Sequence, residues 1–229
     1  MIRGADPGVE FATATFDTFK AIPGTRLAID ACRKVLHGEA GGAVLMGAVG
    51  NGKTHLMVSL ARAYAGEKFG RPEDAEDGAA TYIKVPPIRE LMRMDLSEFE
   101  KGLDAPQLTK EEMGEKDRHV EYWPILDLVC DLRDEIRQGG RPHHGISRRC
   151  RDCDLLILDD LGEERETEFV HEELARIIDW RYRQQLPIAI STNLGIDELQ
   201  AKYGARLVSR LVARCAIVEV TAGDYRVQS

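Results

Sequence analysis

Aromatic residues make up only 6% of the 229-residue chain, too few for rows of rings on which successive bases could stack. Positive charge is scarce too: 31 lysines and arginines face 39 aspartates and glutamates, a formal charge of −8. An acidic balance argues against coating a DNA duplex by general electrostatics, while leaving room for a local basic strip or for contact made by an assembly. No apolar run approaches the roughly 20 residues of a membrane span. Met1 to Phe16 lacks the basic segment and apolar core of an export signal. The cysteines are few, odd in number and scattered (Cys32, Cys130, Cys150, Cys153 and Cys215), which reads as reduced thiols rather than a disulfide framework. These absences point to a cytoplasmic protein with no membrane partner. Its hydrophobic (43%) and charged (31%) fractions are those of a chain able to bury a full core.

Residues 1–15 read as a flexible lead-in. Apolar spacing from Gly24 to Leu36 predicts a helix, stopped by Gly38. Gly42 to Met46 (GAVLM) has the continuous apolar character of a buried parallel strand, and it runs into a glycine-rich turn and then an amphipathic segment, KTHLMVSLARAYAGEK. A polar loop is expected from Lys68, a strand at Thr81–Val85 and a helix from near Ile88. The charged stretch 96–150 is the least readable, with a helix around Ile125–Arg137 and a loop at GGRPHHG. Strands at Leu155–Leu158, Pro187–Thr192 and Ala216–Val220 alternate with helices at Glu168–Tyr182, Ile196–Tyr203 and Arg206–Ala213. That alternation predicts an α/β fold, a mainly parallel sheet with helices on both faces.

Between the first strand and its helix, Gly47-Ala48-Val49-Gly50-Asn51-Gly52-Lys53-Thr54 fits G-x-x-x-x-G-K-S/T at every fixed position. The residue types follow from phosphate chemistry. Glycines let the backbone curl so that successive N–H groups point at phosphate oxygens with no Cβ in the way. The helix beginning near Lys53 adds the positive end of its dipole. Lys53 is placed to bridge the β- and γ-phosphates of ATP, and the Thr54 hydroxyl to ligate Mg²⁺. The competing reading, a glycine-rich turn with an incidental lysine, does not explain the strand before it and the helix after it.

Leu155-Leu156-Ile157-Leu158-Asp159-Asp160 is an apolar strand ending in paired carboxylates. Ligands of open α/β sheets sit at the carboxyl ends of strands, so both acids are expected to face the nucleotide. Asp159 is the Mg²⁺ partner in this reading, through water, since Mg²⁺ keeps much of its hydration. Asp160 is placed to orient or deprotonate the attacking water. Ser191-Thr192-Asn193 ends the apolar strand IAIS, where the Asn193 amide can meet the γ-phosphate or the lytic water; a simple strand-ending turn is the alternative.

GAVGNGKTHL, LLILDDLGEE, IIDWRYRQQLPI, ISTNL, ARLVSRL and a late DYR, taken in order, resemble the AAA+ helicase-loader and transposase-helper ATPases, the DnaC/DnaI/IstB group. The resemblance implies an AAA+ P-loop NTPase domain over residues 16–229, a three-layer sandwich without a large C-terminal lid domain. A charged insertion falls at about 86–150. It implies Mg²⁺-dependent ATP hydrolysis and head-to-tail self-association through a heterologous interface. It also implies DNA, possibly single-stranded, and a replicative helicase or a transposase as partners. By position, Asp159 and Asp160 match the second nucleotide motif and Asn193 the sensor residue. Arg210 matches the arginine finger that reaches a neighbouring subunit, with Arg206 on the same helix face. Arg226 matches the late arginine that senses nucleotide within its own subunit. His55, directly after the loop, joins the residues expected at the nucleotide. Phe16 and Phe19 sit where members approach the adenine. Almost no chain precedes residue 16 for the separate N-terminal domain with which DnaC-type loaders grip the helicase, so engagement of a helicase would use another surface.

His143, His144, Cys150 and Cys153 offer two imidazoles and a C-x-x-C pair, but adjacent histidines seldom both turn toward one ion. Arg148, Arg149 and Arg151 in ISRRCRD suggest an exposed basic loop there instead, either a local choice for touching a phosphate backbone or simply a solvated charge run. Two other function classes compete. A small-molecule P-loop kinase would need an acceptor pocket and an arginine-bearing lid, and LLILDD followed by STN favours hydrolysis. A nucleotide-gated binding module would use ATP to switch shape with little turnover.

Overall fold

Side chains alternate across a strand, so consecutive apolar residues serve two faces at once. The consequence is visible in a computed structural model that describes residues 1–66, 118–137, 145–165 and 167–223. These belong to a unit formed by residues 1–67 and 118–229. A second unit, 68–117, lies outside the described residues, and with it the strand expected at Thr81–Val85 and the helix from Ile88.

Among the described residues the elements are β1 (Ile2–Gly4), a 3₁₀ turn (Val9–Phe11), α1 (Arg26–Leu36), β2 (Gly42–Met46), α2 (Lys53–Ala65), β3 (Val120–Pro124) and α3 (Ile125–Arg137), then α4 (Ile146–Asp152), β4 (Leu155–Asp159), α5 (Glu168–Gln184), β5 (Ile188–Thr192), α6 (Ile196–Tyr203), α7 (Ala205–Arg214) and β6 (Ala216–Glu219). The strands pair in the order β1-β3-β4-β5-β2-β6, every pairing parallel. Leu155 and Ile157 of β4 join Ala43, Leu45 and Ala189 on the face covered by α1 and α2. Leu156 and Leu158 join Val44 and Ile190 on the other, against Leu132 of α3, Leu174 of α5 and Leu211 of α7. The result is the three-layer α/β sandwich that the sequence pattern predicts. Met46 pairs with Thr192 and Leu158 with Ile190, so β2, β4 and β5 reach their carboxyl ends together.

Three local expectations are corrected. The lead-in is not a free segment: Ile2–Gly4 forms an edge strand on β3, and the Met1 ammonium donates to Arg118 O at 2.8 Å. Without it β3 would present unpaired backbone groups, which a short extended segment satisfies. Val120–Pro124 is itself a strand that the sequence reading missed, buried except at its proline. ISRRCRD is helix α4 rather than a loop, with Ser147 and Cys150 buried and Arg148 outside, paired with Asp152. Three-residue spacing of the buried pair gives it one inward face despite its charge.

Candidate functional site

The loop after β2 turns on glycines in the left-handed region, with Gly47 at φ +144°, Gly50 at +80° and Gly52 at +88°. A Cβ on Gly47 would stand 2.5 Å from Val220 O and 2.6 Å from Asn51 Nδ2, so no larger residue fits. Asn51 Nδ2 donates to Val220 O at 2.8 Å, tying the loop to the chain leaving β6. Gly52 then caps α2, whose first turn carries Lys53 and Thr54. The first N–H groups of that helix have no acceptor within it, the arrangement that favours an anion at a helix start.

Lys53 is buried, and its ammonium donates to four neutral oxygens. They are Gly47 O at 2.7 Å, Ala48 O at 2.7 Å, Asn51 Oδ1 at 3.1 Å and Asn193 Oδ1 at 3.0 Å. Burial lowers its pKa, while the charges of Asp160, Asp159 and Glu163 push the other way. The loop and the strand-end asparagine, separated by 140 residues, therefore meet at one cation.

Asp159 ends β4, buried. Its Oδ2 accepts from the Tyr122 hydroxyl at 2.6 Å, and its Oδ1 from the Ser191 hydroxyl. Burial and then the Asp159 charge push the Tyr122 phenol far above its ordinary pKa, which keeps it a donor. Asp160 turns the chain with φ +57°, a region that aspartate tolerates better than most residues, and its N–H donates to Ser191 Oγ at 2.9 Å. Ser191 thus holds both acids in register. Asn193 continues outward, its Nδ2 donating to Glu163 Oε1 at 2.9 Å. Tyr122, Ser191 and Glu163 were not singled out from sequence. Tyr122 lies on the missed strand, Ser191 was visible in the STN run, and Glu163 lay unread inside DDLGEE.

The remaining expected residues fall into three places. Val49 is exposed in the loop and Thr54 is half-buried beside Lys53. His55 turns to the lead-in, its Nε2 3.1 Å from Thr15 O and 3.3 Å from Thr18 Oγ1, its ring edge-on to Phe19 at 5.1 Å. Burial lowers the His55 pKa, with the Thr15 carbonyl opposing and the Arg62 charge adding. Phe16 packs half-buried on the same core cluster as Phe19.

Arg210 lies away from the loop, at the strands' opposite ends. It pairs with Asp179 of α5 and stands over the Tyr182 ring at 5.8 Å, beside a hollow lined by Gly41, Ile188 and Cys215. Arg206 is exposed on the same helix. Arg226 lies outside the described residues, as do His143 and His144. Cys150 and Cys153 are buried against Arg181, and burial pushes the Cys153 thiol up to about 11. All five cysteines are free thiols.

No family model matches the chain. Over 87 residues it is 23% identical to the replicative helicase loader DnaC of Escherichia coli K12, a stretch covering 38% of this chain and only 36% of that relative's length. Likeness of fold is broader. The crystal structure of the DnaC helicase loader superposes with a TM-score of 0.64 at 19% identity, over 93% of this chain and all (100%) of that one. DnaI gives 0.60 at 18%, over 96% and 97%. The replication initiator DnaA, solved with AMPPCP and single-stranded DNA, gives 0.61 at 19%, over 92% and 50%. The chain shares the α/β fold of the DnaC, DnaI and DnaA structures, and it spans little more than a third of the length of the curated relative that it matches.

Proposed function

We propose that this chain binds ATP with Mg²⁺ at Gly47–Thr54, hydrolyses it, assembles head to tail, and helps to load or target a DNA-acting partner. One observation carries the reading: Lys53, Asp159, Asp160 and Asn193 come from three neighbouring strand ends to one glycine loop. The residues fit the nucleotide by their chemistry. Neutral oxygens now occupy Lys53, and phosphate oxygens, being charged, are stronger acceptors for the same ammonium. The Thr54 hydroxyl and the buried Asp159 carboxylate, which keeps lone pairs beyond its bonds to Tyr122 and Ser191, suit Mg²⁺ held through water. Bound there, the ion would neutralise charge on the phosphates.

Asp160 then orients or deprotonates the attacking water, and Asn193 meets the γ-phosphate. Arg210 serves the site of a neighbouring copy, which agrees with its position at the far ends of the strands, and Arg226 serves its own. A heterologous contact of this kind gives a ring or an open spiral. DnaC's description as a replicative helicase loader supports a helicase as the partner, and the IstB resemblance supports a transposase. The DnaA structure with single-stranded DNA supports DNA contact. Among the described residues no helix is long and apolar enough to cross a membrane.

The test is calorimetry with ATP and Mg²⁺ on wild type and Lys53→Ala, followed by phosphate release with and without single-stranded DNA. Lys53→Ala should weaken ATP by about 100-fold or more. Undiminished affinity would end the phosphate-loop assignment. Binding without release would favour the nucleotide-gated module, and a phosphorylated small molecule the kinase.

A further inference from the structure

Side chains on one face of a sheet recur every second residue, so Asp159 shares its face of β4 with Leu155 and Ile157, and Ser191 its face of β5 with Ala189. Tyr122 of β3 lies in the same cluster, which α2 covers. Three buried polar side chains therefore extend one apolar row near the carboxyl ends of three neighbouring strands. Buried polar groups need partners, and the two acids of this corner are not equally supplied.

Asp159 is held twice, by the Tyr122 hydroxyl on Oδ2 at 2.6 Å and by the Ser191 hydroxyl on Oδ1. The chain then turns at Asp160 with φ +57°, and two successive N–H groups of the turn go to Ser191. Asp160 N donates to Oγ at 2.9 Å and Leu161 N to the carbonyl oxygen at 2.8 Å. A hydroxyl has one hydrogen to give and lone pairs to receive, so Oγ serves the Asp159 carboxylate and the Asp160 N–H at once. Alanine at this position would do neither. The Leu161 bond, made to backbone, would survive, and Asp159 would keep Tyr122. The Asp160 N–H would lose the acceptor that fixes a left-handed aspartate, a conformation that such a residue holds only where its surroundings impose it.

We infer that Ser191 is a positioning residue for hydrolysis, and that it acts through Asp160 rather than through the metal partner Asp159. This rests on the ATP reading of Gly47–Thr54 and on the role proposed for Asp160. The Ser191 hydroxyl is committed to the two acids, so its part is to fix where the strand end delivers the Asp160 carboxylate. A relaxed turn displaces that carboxylate, and small displacements at a reacting centre are costly. The loop, Lys53 and the Tyr122-held Asp159 stay as they were, so nucleotide binding is spared while turnover falls.

The experiment uses the full chain. It measures phosphate release, and ATP affinity by calorimetry over a range of Mg²⁺ concentrations, for wild type, Ser191→Ala, Ser191→Thr, Asp160→Asn and the Ser191→Ala/Asp160→Asn double variant, with a melting curve for each. Ser191→Ala should release phosphate about tenfold more slowly, with ATP affinity and its Mg²⁺ dependence within about twofold of wild type. Ser191→Thr keeps the hydroxyl and should recover most of the turnover. In the Asp160→Asn background the Ser191 substitution should cost nothing further, because the carboxylate that it positions is gone. Wild-type turnover in Ser191→Ala would overturn the inference. So would a loss of ATP affinity or of Mg²⁺ dependence as large as the loss of turnover, a Ser191 effect that persists in full beside Asp160→Asn, or a Ser191→Thr protein that melts like wild type yet turns over like Ser191→Ala. Should Ser191→Ala melt below the assay temperature, Ser191→Cys, with its weak donor and acceptor, takes its place under the same criteria. Wild type that binds no ATP would bring down the ATP reading and this inference together. Wild type that binds ATP without releasing phosphate would end the hydrolytic role and this inference but leave the phosphate loop standing. Wild type that does both, beside an unaffected Ser191→Ala, would bring down this inference alone.

Discussion

The two ends of the sheet bury positive charge in different ways. At the carboxyl ends, Lys53 rests among four neutral oxygens, on a flexible stem, with Asp160, Asp159 and Glu163 near enough to support its charge. At the opposite ends, Arg181 is fully buried, and its fork donates to Cys150 O at 2.9 Å, Arg151 O at 3.1 Å, Cys153 O at 3.0 Å and Pro187 O. The partners of Lys53 are ones that a phosphate can displace. Those of Arg181 are three carbonyls at and just past the end of α4 and Pro187 O, which also accepts from Leu156 N at 3.3 Å, and the rigid guanidinium matches them several at a time. A compact ammonium among replaceable acceptors makes a ligand site; a planar fork among backbone carbonyls makes a joint.

Breaking the joint should have the largest effect. Arg181→Met removes the donor that these carbonyls share, a loss of about 3 kcal/mol, or a fall of about 10 °C in melting temperature. ATP affinity of the folded fraction should stay as it was, because the loop lies at the other end. An unchanged denaturant midpoint would show that the carbonyls find other partners and that the contrast between the two ends is overdrawn.

At the ligand end, Asp160→Asn should keep ATP binding while slowing phosphate release by about 100-fold, since the water loses its carboxylate. Asp159→Asn should act differently, by weakening the dependence on Mg²⁺ and by disturbing the hydrogen bonds from Tyr122 and Ser191. Normal turnover in the Asp160 variant would move the catalytic role elsewhere. In the proposed head-to-tail assembly, Arg210 would join the two ends across copies. Arg210→Ala should lower turnover about tenfold or more while monomer ATP affinity holds. Mixing it with Lys53→Ala protein should restore part of the activity, because one variant brings a loop and the other a finger. Folded variants that fail to complement would confine Arg210 to its ion pair with Asp179.

How much of this was legible follows from sequence distance. The loop Gly47–Thr54 is contiguous, and its glycines, lysine and threonine state their chemistry directly; Gly42–Met46 and Leu155–Leu158 stand out as unbroken apolar runs. What stayed hidden depends on pairing between distant residues. β1 is three residues long and acquires meaning only opposite Val120–Tyr122. β3 mixes a buried glutamate, tyrosine and tryptophan with a proline, so no run of apolar letters marks it. Arg181 looked like one more charge in RYRQQ, and α4 like a basic loop, because charge counts ignore which face turns inward. Glu163 needed the Asn193 amide beside it before its carboxylate had anything to hold.

The smallest effect expected is at His55, which fastens residues 15–19 over α2 rather than pairing with either end's cation. Burial lowers its pKa below the ordinary value, so the folded protein prefers the neutral ring. The charged groups bearing on it reduce to Arg62, which lowers the pKa further; the Thr15 carbonyl opposes the shift. In the unfolded chain the ring takes up a proton near pH 6.5, so between that value and the lowered one the unfolded state binds more protons. The contribution of His55 is therefore complete above about pH 6.5 and is lost as pH falls through its depressed value. His55→Gln keeps a hydrogen-bonding tip but cannot titrate. Between about pH 7 and about pH 5 wild type should lose more stability than the variant, by under about 1 kcal/mol for a half-buried ring. Melting curves of the two proteins across that interval provide the measurement. Parallel curves would clear His55 of the pH dependence and leave residues 15–19 held chiefly by the packing of Phe16 and Phe19.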